Sequence, residues 1–235
     1  MTADPGPGGA FREQPTHASL AVVLQIRGGA LQALVWRRAR EPFLGAWSLP
    51  GGYLERGETL EQSIRKHLAA KVDVREVAHL EQLETLSDPA RHPREWQIAT
   101  AYLGLIPTDA DPELPEDTAW HPVSQLPELA FDHREITLSG RERLRAKLSY
   151  TNVGFALARA EFTISELRDL YAAALGHDVS ATNLQRVLLR RGVIEGTGAR
   201  RPPGPEGGRP AALFRFRTRC IEVTDEFAVL RPPSS

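Results

Sequence analysis

The sequence predicts an α/β sandwich followed by a small helix–turn–helix unit with a two-stranded wing. Three observations lead there. An apolar, β-branched run folds back at Gly28-Gly29. A second glycine pair, Gly51-Gly52, runs into an amphipathic helix. Beyond Tyr150 the order becomes helix, turn, helix, strand, basic loop, strand.

Residues 18–36, ASLAVVLQIRGGALQALVW, read as a hairpin, because two apolar runs flank the glycine turn. Residues 37–50, RRAREPFLGAWSLP, read as loop and short strand. A helix is expected from Thr59 to Lys71, where Leu60, Ile64, Leu68 and Val72 form an i, i+4 stripe. Residues 75–106 hold two or three strands, notably Gln97 to Ile106, with the loop DPARHPR (88–94) between them. Residues 107–134 read as loop anchored by Trp120 and Phe131, and a helix from about Arg134 to Lys147 closes the unit.

Thr163-Ile-Ser-Glu166 is a capping box, in which hydroxyl and carboxylate each satisfy an end-of-helix N–H. The helix behind it runs through Leu175, with Leu167, Leu170, Tyr171 and Leu175 on one face and Gly176 just past its end. Ser180 or Thr182 caps a second helix, from about Ala181 to Arg190, carrying Leu184, Val187 and Leu188. Val193 to Glu195 is a short strand, residues 196–210 a flexible basic loop, and residues 211–216 the returning strand. This is the layout of a winged helix. The expected division is a disordered tail at 1–16, an α/β unit at 17–150 and the winged helix at 151–235.

The bulk composition fits this organisation. At 41% hydrophobic and 25% charged residues the 235-residue chain is globular in character. No apolar run approaches the roughly 18 residues that cross a bilayer. The Pro/Gly-rich first 16 residues lack the apolar region of a signal peptide. A single cysteine, Cys220, excludes an internal disulfide and a cysteine metal cluster. A cytoplasmic protein without a membrane partner is expected. Its net charge of −1 conceals about −7 over residues 1–140 and about +8 over residues 141–219, so phosphate is to be sought in the second half.

The stretch GGYLERGE and its helix resemble the Nudix box, G-x5-E-x7-R-E-U-x-E-E-x-G-U, where U is bulky and aliphatic. With Gly52 as the first glycine, Glu58 is the first glutamate and Leu68 and Val74 fill the aliphatic positions. Five positions depart. Lys66 replaces the arginine, His67 the next glutamate, Ala70 and Lys71 the paired glutamates, and Asp73 the second glycine. In that family the helix glutamates hold magnesium or manganese against a pyrophosphate. Magnesium demands oxygen ligands, which Ala70 lacks, and Lys71 carries the wrong sign. Only Glu55, Glu58 and Glu61 remain nearby. No catalytic residue, metal site or cofactor is therefore expected, and the chain is read as no enzyme.

RRAREPFLGAWSLPGGYLERGETL, DPARHPREWQIATAYLGLIP, LPELAFDHREI and, in the second half, FTISELRDLYAAALGHDVSATNLQRVLLRRGVIEGTG with GRPAALFRF resemble the Nudix-related transcriptional regulators of the NrtR type, over roughly residues 18–217. The resemblance implies a Nudix α/β/α sandwich with a C-terminal winged helix-turn-helix domain. It implies a homodimer on a palindromic double-stranded DNA operator and repression of NAD-synthesis genes. It also implies a nucleoid-associated location and an effector that is ADP-ribose or a related dinucleotide.

The residues supply candidates for both sites. Arg37, Arg38 and Arg94 are pyrophosphate partners by the fork geometry of guanidinium, and only one of the adjacent Arg37 and Arg38 can face a pocket. Gly51 and Gly52 let backbone approach a ligand, and Glu55 and Glu58 belong to the same loop. Trp47 or Phe43 is an adenine platform or core. His133 is a pocket residue or a satisfied structural one. On the second unit, Thr182, Asn183, Gln185 and Arg186 occupy the end of the helix that reaches base edges. Arg190, Arg191, Arg200, Arg201 and Arg209 are candidate phosphate or minor-groove contacts, or, for Arg190 and Arg191, complements of the helix dipole. The competing reading is an active ADP-ribose or nucleotide pyrophosphatase with an accessory domain.

Overall fold

A computed structural model describes residues 14–202 and 210–225. The first unit is built on one seven-stranded sheet. Strands β1 (Thr16–Arg27) and β2 (Ala30–Arg37) form the hairpin, and β3 (Trp47–Ser48) and β4 (Gly51–Tyr53) follow. Helix α1 (Leu60–Val72) leads to β5 (His79–Leu86), β6 (Gln97–Leu105) and β7 (Thr118–Pro122), and α2 (His133–Tyr150) closes the unit. The sheet runs β3-β2-β1-β6-β5, with β4 on β1 and β7 on β2. The β1–β6 pair is parallel and the others are antiparallel.

β1 explains the sandwich. Its side chains alternate between faces, so Leu20, Val22 and Leu24 join one apolar cluster and Ala21 and Val23 join another. α1 covers the second cluster with Ile64, Leu68 and Val72, and α2 covers the first with Ile136, Leu144 and Leu148. α1 starts at a capping box of Thr59 and Gln62 and ends at Asp73, whose φ of 52° is the left-handed turn where the Nudix box has glycine. Asp is among the residues that tolerate this turn without losing the helix stop.

The second unit holds α3 (Ile164–Leu175), α4 (Ala181–Arg190), β8 (Ile194–Arg201) and β9 (Ala211–Phe216). Thr163 and Glu166 form the capping box of α3, Gly176 ends it at φ 77°, and Ser180 caps α4. The first apolar cluster continues without a break through Val153, Phe155 and Phe162 into Leu167, Leu184 and Phe216. The two units are therefore packed on one another. A cavity of about 320 Å3 lies between them, bounded by Ile26, Thr108, Phe162 and Leu167. Asn152 ties the end of the described chain across this junction. It accepts the Glu222 N–H at 2.7 Å and donates to the carbonyl of Cys220 at 2.9 Å and to the Thr218 hydroxyl at 3.0 Å.

Several local expectations need correction. Thr16, read as tail, already belongs to β1, paired with Gln97. β7 lies in what reads as loop, because its pairing with β2 is set by a partner over 80 residues away and not by its own composition. Arg200 and Arg201, read as loop, lie on β8, opposite Ala212 and Ala211. Arg209 lies outside the described residues. Among the described residues, no helix is long and apolar enough to cross a membrane.

Candidate functional site

The glycine loop is clamped between β1 and α1. Gly51 and Gly52 pair with Leu20 and Ser19. A Cβ on Gly51 would lie 2.2 Å from the Ser19 carbonyl oxygen, and one on Gly52 would lie 2.5 Å from the His67 ring. Backbone blocks a side chain at Gly51 and the His67 ring crowds one at Gly52, so bare backbone faces the pocket beside them. That pocket encloses about 90 Å3 among Arg38, Gly51, Gly52, His92, Phe131 and His133. With roughly 30 Å3 per water in the liquid, this is room for a phosphate-sized group.

The far wall is rigid. His133 is fully buried and its Nδ1 accepts the Leu49 N–H at 3.0 Å, with the Ser48 hydroxyl also at 3.0 Å. Accepting at Nδ1 leaves the proton on Nε2. Burial first, and then the nearby Arg91 and Arg38, push its pKa down to about 3, so the ring is neutral. Phe131 sits at φ 56°, a backbone state that costs a bulky residue about 1–3 kcal/mol. Its ring is held by stacking on His92 at 5.2 Å, by the edge of Phe43 at 4.9 Å and by the Arg38 guanidinium 4.7 Å above it. Arg91 fastens this wall to the preceding loop through a bidentate pair with Asp132 (2.8 and 3.0 Å) and a bond to Gln97 at 2.8 Å.

Behind the glycine loop stands the changed Nudix helix, which does not itself line the pocket, and Glu55 and Glu58, read as ligand-binding residues, lie with it outside the lining. Lys66 Nζ lies 2.7 Å from Glu58 and 3.0 Å from Glu55. Glu58 also accepts the Glu55 N–H at 2.7 Å, and its hydrogen bond from Lys66 leads the causes that bring its pKa down to about 2. His67 Nε2 donates to the Tyr53 carbonyl at 3.0 Å. Lys71 Nζ donates to the Gly51 carbonyl at 2.5 Å and lies 4.7 Å from the Trp36 ring. Burial, then Arg38 and Arg40, lower the Lys71 pKa.

These residues do not fit the divalent cation of the Nudix family. The two carboxylates of the loop are both held by Lys66, and Lys71 presents an ammonium where the box has a carboxylate. Among the described residues no group of three or more His, Cys, Asp or Glu is placed to hold a metal. The pocket can take an anionic group beside an aromatic one.

The arginine candidates separate in space. Arg38 lines the pocket. Arg37, one residue earlier on the opposite side of the strand, lies 4.3 Å over Trp47 and donates to Gly45 at 2.9 Å. Trp47 packs edge-on to His121 at 5.0 Å and is not a pocket wall. Arg94 is exposed, 3.7 Å from Glu41, and is also outside the pocket. The sequence does not single out His92 and Phe131 as pocket residues, or Arg91 as the brace behind them. All three stand in the stretches DPARHPR and AFDH, but nothing local distinguishes Arg91 from Arg94.

On the winged helix, Thr182, Asn183, Arg186 and Arg190 are exposed on α4, Gln185 is half-buried, and Leu184 and Leu188 anchor the opposite face. Arg186 donates to the Asn183 side-chain oxygen at 2.7 Å. Arg200 is exposed. Two candidates turn out to be engaged within the protein. Arg191 donates to the Ser149 carbonyl at 2.8 Å and pairs with Asp225, and Arg201 pairs with the capping-box Glu166 at 2.5 Å. Both are thus tied to partners within the protein.

Fold and pocket together define a Nudix-type domain carrying a winged helix. The NUDIX domain model matches residues 15–139 and the NrtR DNA-binding winged helix domain model matches residues 154–216. The chain is 30% identical to the ADPR responsive transcriptional repressor NtrR of Acinetobacter baylyi, covering 83% of this chain and 79% of that protein. It superposes on the crystal structure of Shewanella oneidensis NrtR complexed with a 27mer DNA with a TM-score of 0.75 at 32% identity, covering 85% of this chain and 93% of the other. The NUDIX domain of that protein complexed with ADP ribose gives a TM-score of 0.50 at 33% identity, over 60% of this chain and 94% of that one. The chain belongs to the NrtR family of Nudix-related transcriptional regulators.

Proposed function

We propose that this protein is a DNA-binding repressor whose Nudix domain senses ADP-ribose or a related dinucleotide without hydrolysing it. The observation that carries this reading is the pairing of Glu58 and Glu55 with Lys66 at the site where a hydrolase holds its metal. The glycine cradle, Arg38 and the aromatic wall persist, so the site keeps its means of binding while losing its means of catalysis. The relatives named above supply the ligand and the DNA by analogy, and no further cofactor is invoked. The exposed face of α4 supplies base-reading side chains, with Arg190 and Arg200 for phosphate.

A homodimer would present two such helices to a palindrome, with half-sites one or two turns apart. Ligand that alters the spacing of the two winged helices alters DNA affinity, because both half-sites must be met at once. The continuous apolar cluster between the units gives the pocket a mechanical route to the wings.

The test is fluorescence anisotropy of the full chain on labelled duplex from upstream of NAD-synthesis genes, at fixed salt, with ADP-ribose titrated in. Specific binding that is released by ADP-ribose is the expected result. Specific binding indifferent to ADP-ribose overturns the effector assignment, and absence of specific binding overturns the regulator.

A further inference from the structure

We infer that Lys66 and Lys71 stand in for the divalent cation of the Nudix fold, so that this pocket excludes metal and binds its anionic ligand metal-free. The inference about the ligand rests on the function proposed above; the exclusion of metal does not.

The geometry assigns the two lysines complementary tasks. Lys66 bridges Glu55 and Glu58 at 3.0 and 2.7 Å, occupying the loop's remaining carboxylates with a fixed positive charge. Lys71 reaches from the next turn of α1 to the Gly51 carbonyl, so an ammonium joins helix and glycine loop. His67, bonded to the Tyr53 carbonyl at 3.0 Å, makes a second such cross-link without a charge. A metal approaching this face meets two ammonium groups and no uncommitted pair of carboxylates.

The same charges suit an anion. Among the described residues, Arg38, Arg40 and Lys71 make no ion pair, and they lie near enough for the two arginines to act electrostatically on the lysine. A half-buried ammonium has three donors. Lys71 spends one on Gly51, and Trp36 faces the group at 4.7 Å. Among the described residues the positive charge beside Gly51 and Arg38 is met by no direct ion pair, and Glu41 acts on Arg38 only from farther off. A phosphate or pyrophosphate group pairs with that charge, which takes the part a metal plays in a hydrolase.

Two measurements on the full chain test this. In the first, Mn2+ binding is followed by electron paramagnetic resonance for the wild type and for Lys66→Gln/Lys71→Glu, which frees Glu55 and Glu58 and adds a third carboxylate. The wild type is expected to leave Mn2+ free at submillimolar concentration, and the double variant to bind it. Mn2+ bound stoichiometrically by the wild type, or left free by a folded double variant, overturns the inference. In the second, ADP-ribose binding is measured calorimetrically in EDTA and in Mg2+. Affinities within about 2-fold are expected, with a loss of about 10-fold or more in Lys71→Met and partial retention in Lys71→Arg. Binding that requires Mg2+, or that ignores Lys71→Met, overturns the stand-in. ADP-ribose that binds under neither condition overturns the proposed effector, while the Mn2+ experiment still decides whether the lysines exclude metal.

Discussion

His133 accepts the backbone N–H of Leu49 at 3.0 Å from a fully buried position, and this bond fixes both the strand end before the glycine loop and the start of α2. A ring that must accept at Nδ1 cannot be protonated there without losing the bond. Its folded-state pKa of about 3 lies below the ordinary value of 6.5. Between those values the unfolded chain carries the proton and the folded one does not, so this group's stabilisation is complete above pH 6.5 and is lost as pH falls toward 3. The slope is about 1.4 kcal/mol per pH unit for one proton. His133→Asn, whose side-chain oxygen can accept the same N–H, is expected to lower stability at pH 7 and to flatten the curve between about pH 6.5 and 4.5. Urea unfolding of both proteins across that range measures it. Equal slopes would remove His133 as the source.

Gly51 and Gly52 differ in what blocks them. The methyl group of Gly51→Ala would meet the Ser19 carbonyl and Leu20 Cα, which are backbone of the central strand. That of Gly52→Ala would first meet the His67 ring, which can swing aside by giving up its bond to Tyr53. A loss of about 3 kcal/mol is expected for Gly51→Ala and about 1 kcal/mol for Gly52→Ala. Chemical denaturation that ranks them the other way would show that the strand yields more readily than the helix.

Arg186 and Arg191 sit on the same helix and its cap, yet they should behave differently. Arg186→Ala removes a side chain at the base-reading end of α4 and is expected to cost about 1–3 kcal/mol of specific binding with unchanged thermal stability. Arg191→Ala breaks its bonds to Ser149 and Asp225, so the thermal midpoint should drop while the salt dependence of DNA binding stays the same. Arg190→Ala and Arg200→Ala should each lower the salt slope by about 0.9 if each meets one phosphate. Anisotropy titrations at several salt concentrations separate the three behaviours.

Asn152 is the staple between the end of α2 and the segment after β9. Asn152→Ala removes three hydrogen bonds made from a buried position and takes the acceptor from the Glu222 N–H, while the Cys220 carbonyl keeps its bond from the Thr218 hydroxyl. A destabilisation of about 2–3 kcal/mol is expected. Because the staple spans the junction of the two units, the response of DNA binding to ADP-ribose should weaken more than DNA binding itself. Anisotropy with and without the effector gives both quantities. An undiminished response would place the coupling in the apolar cluster alone.

Features written in local periodicity are legible in the sequence by itself. The i, i+4 stripe of Leu60, Ile64, Leu68 and Val72, the capping box at Thr163 and Glu166, and the hairpin at Gly28-Gly29 depend on residues within a few positions of one another. The replacements at Lys66, His67, Ala70, Lys71 and Asp73 are likewise readable one by one. Only the tertiary structure decides what those replacements do, because their partners, Glu55, Tyr53 and Gly51, come close when α1 docks on the glycine loop. It also decides that Arg38 and not Arg37 lines the pocket, that Arg91 and not Arg94 braces it, and that Arg191 turns inward to Ser149. An arginine carries the same charge and reach at each of these positions. Its task is set by which carboxylate, carbonyl or ring the fold brings within hydrogen-bond distance, and in this chain the parallel pairing of β1 with β6 brings together residues some 80 positions apart.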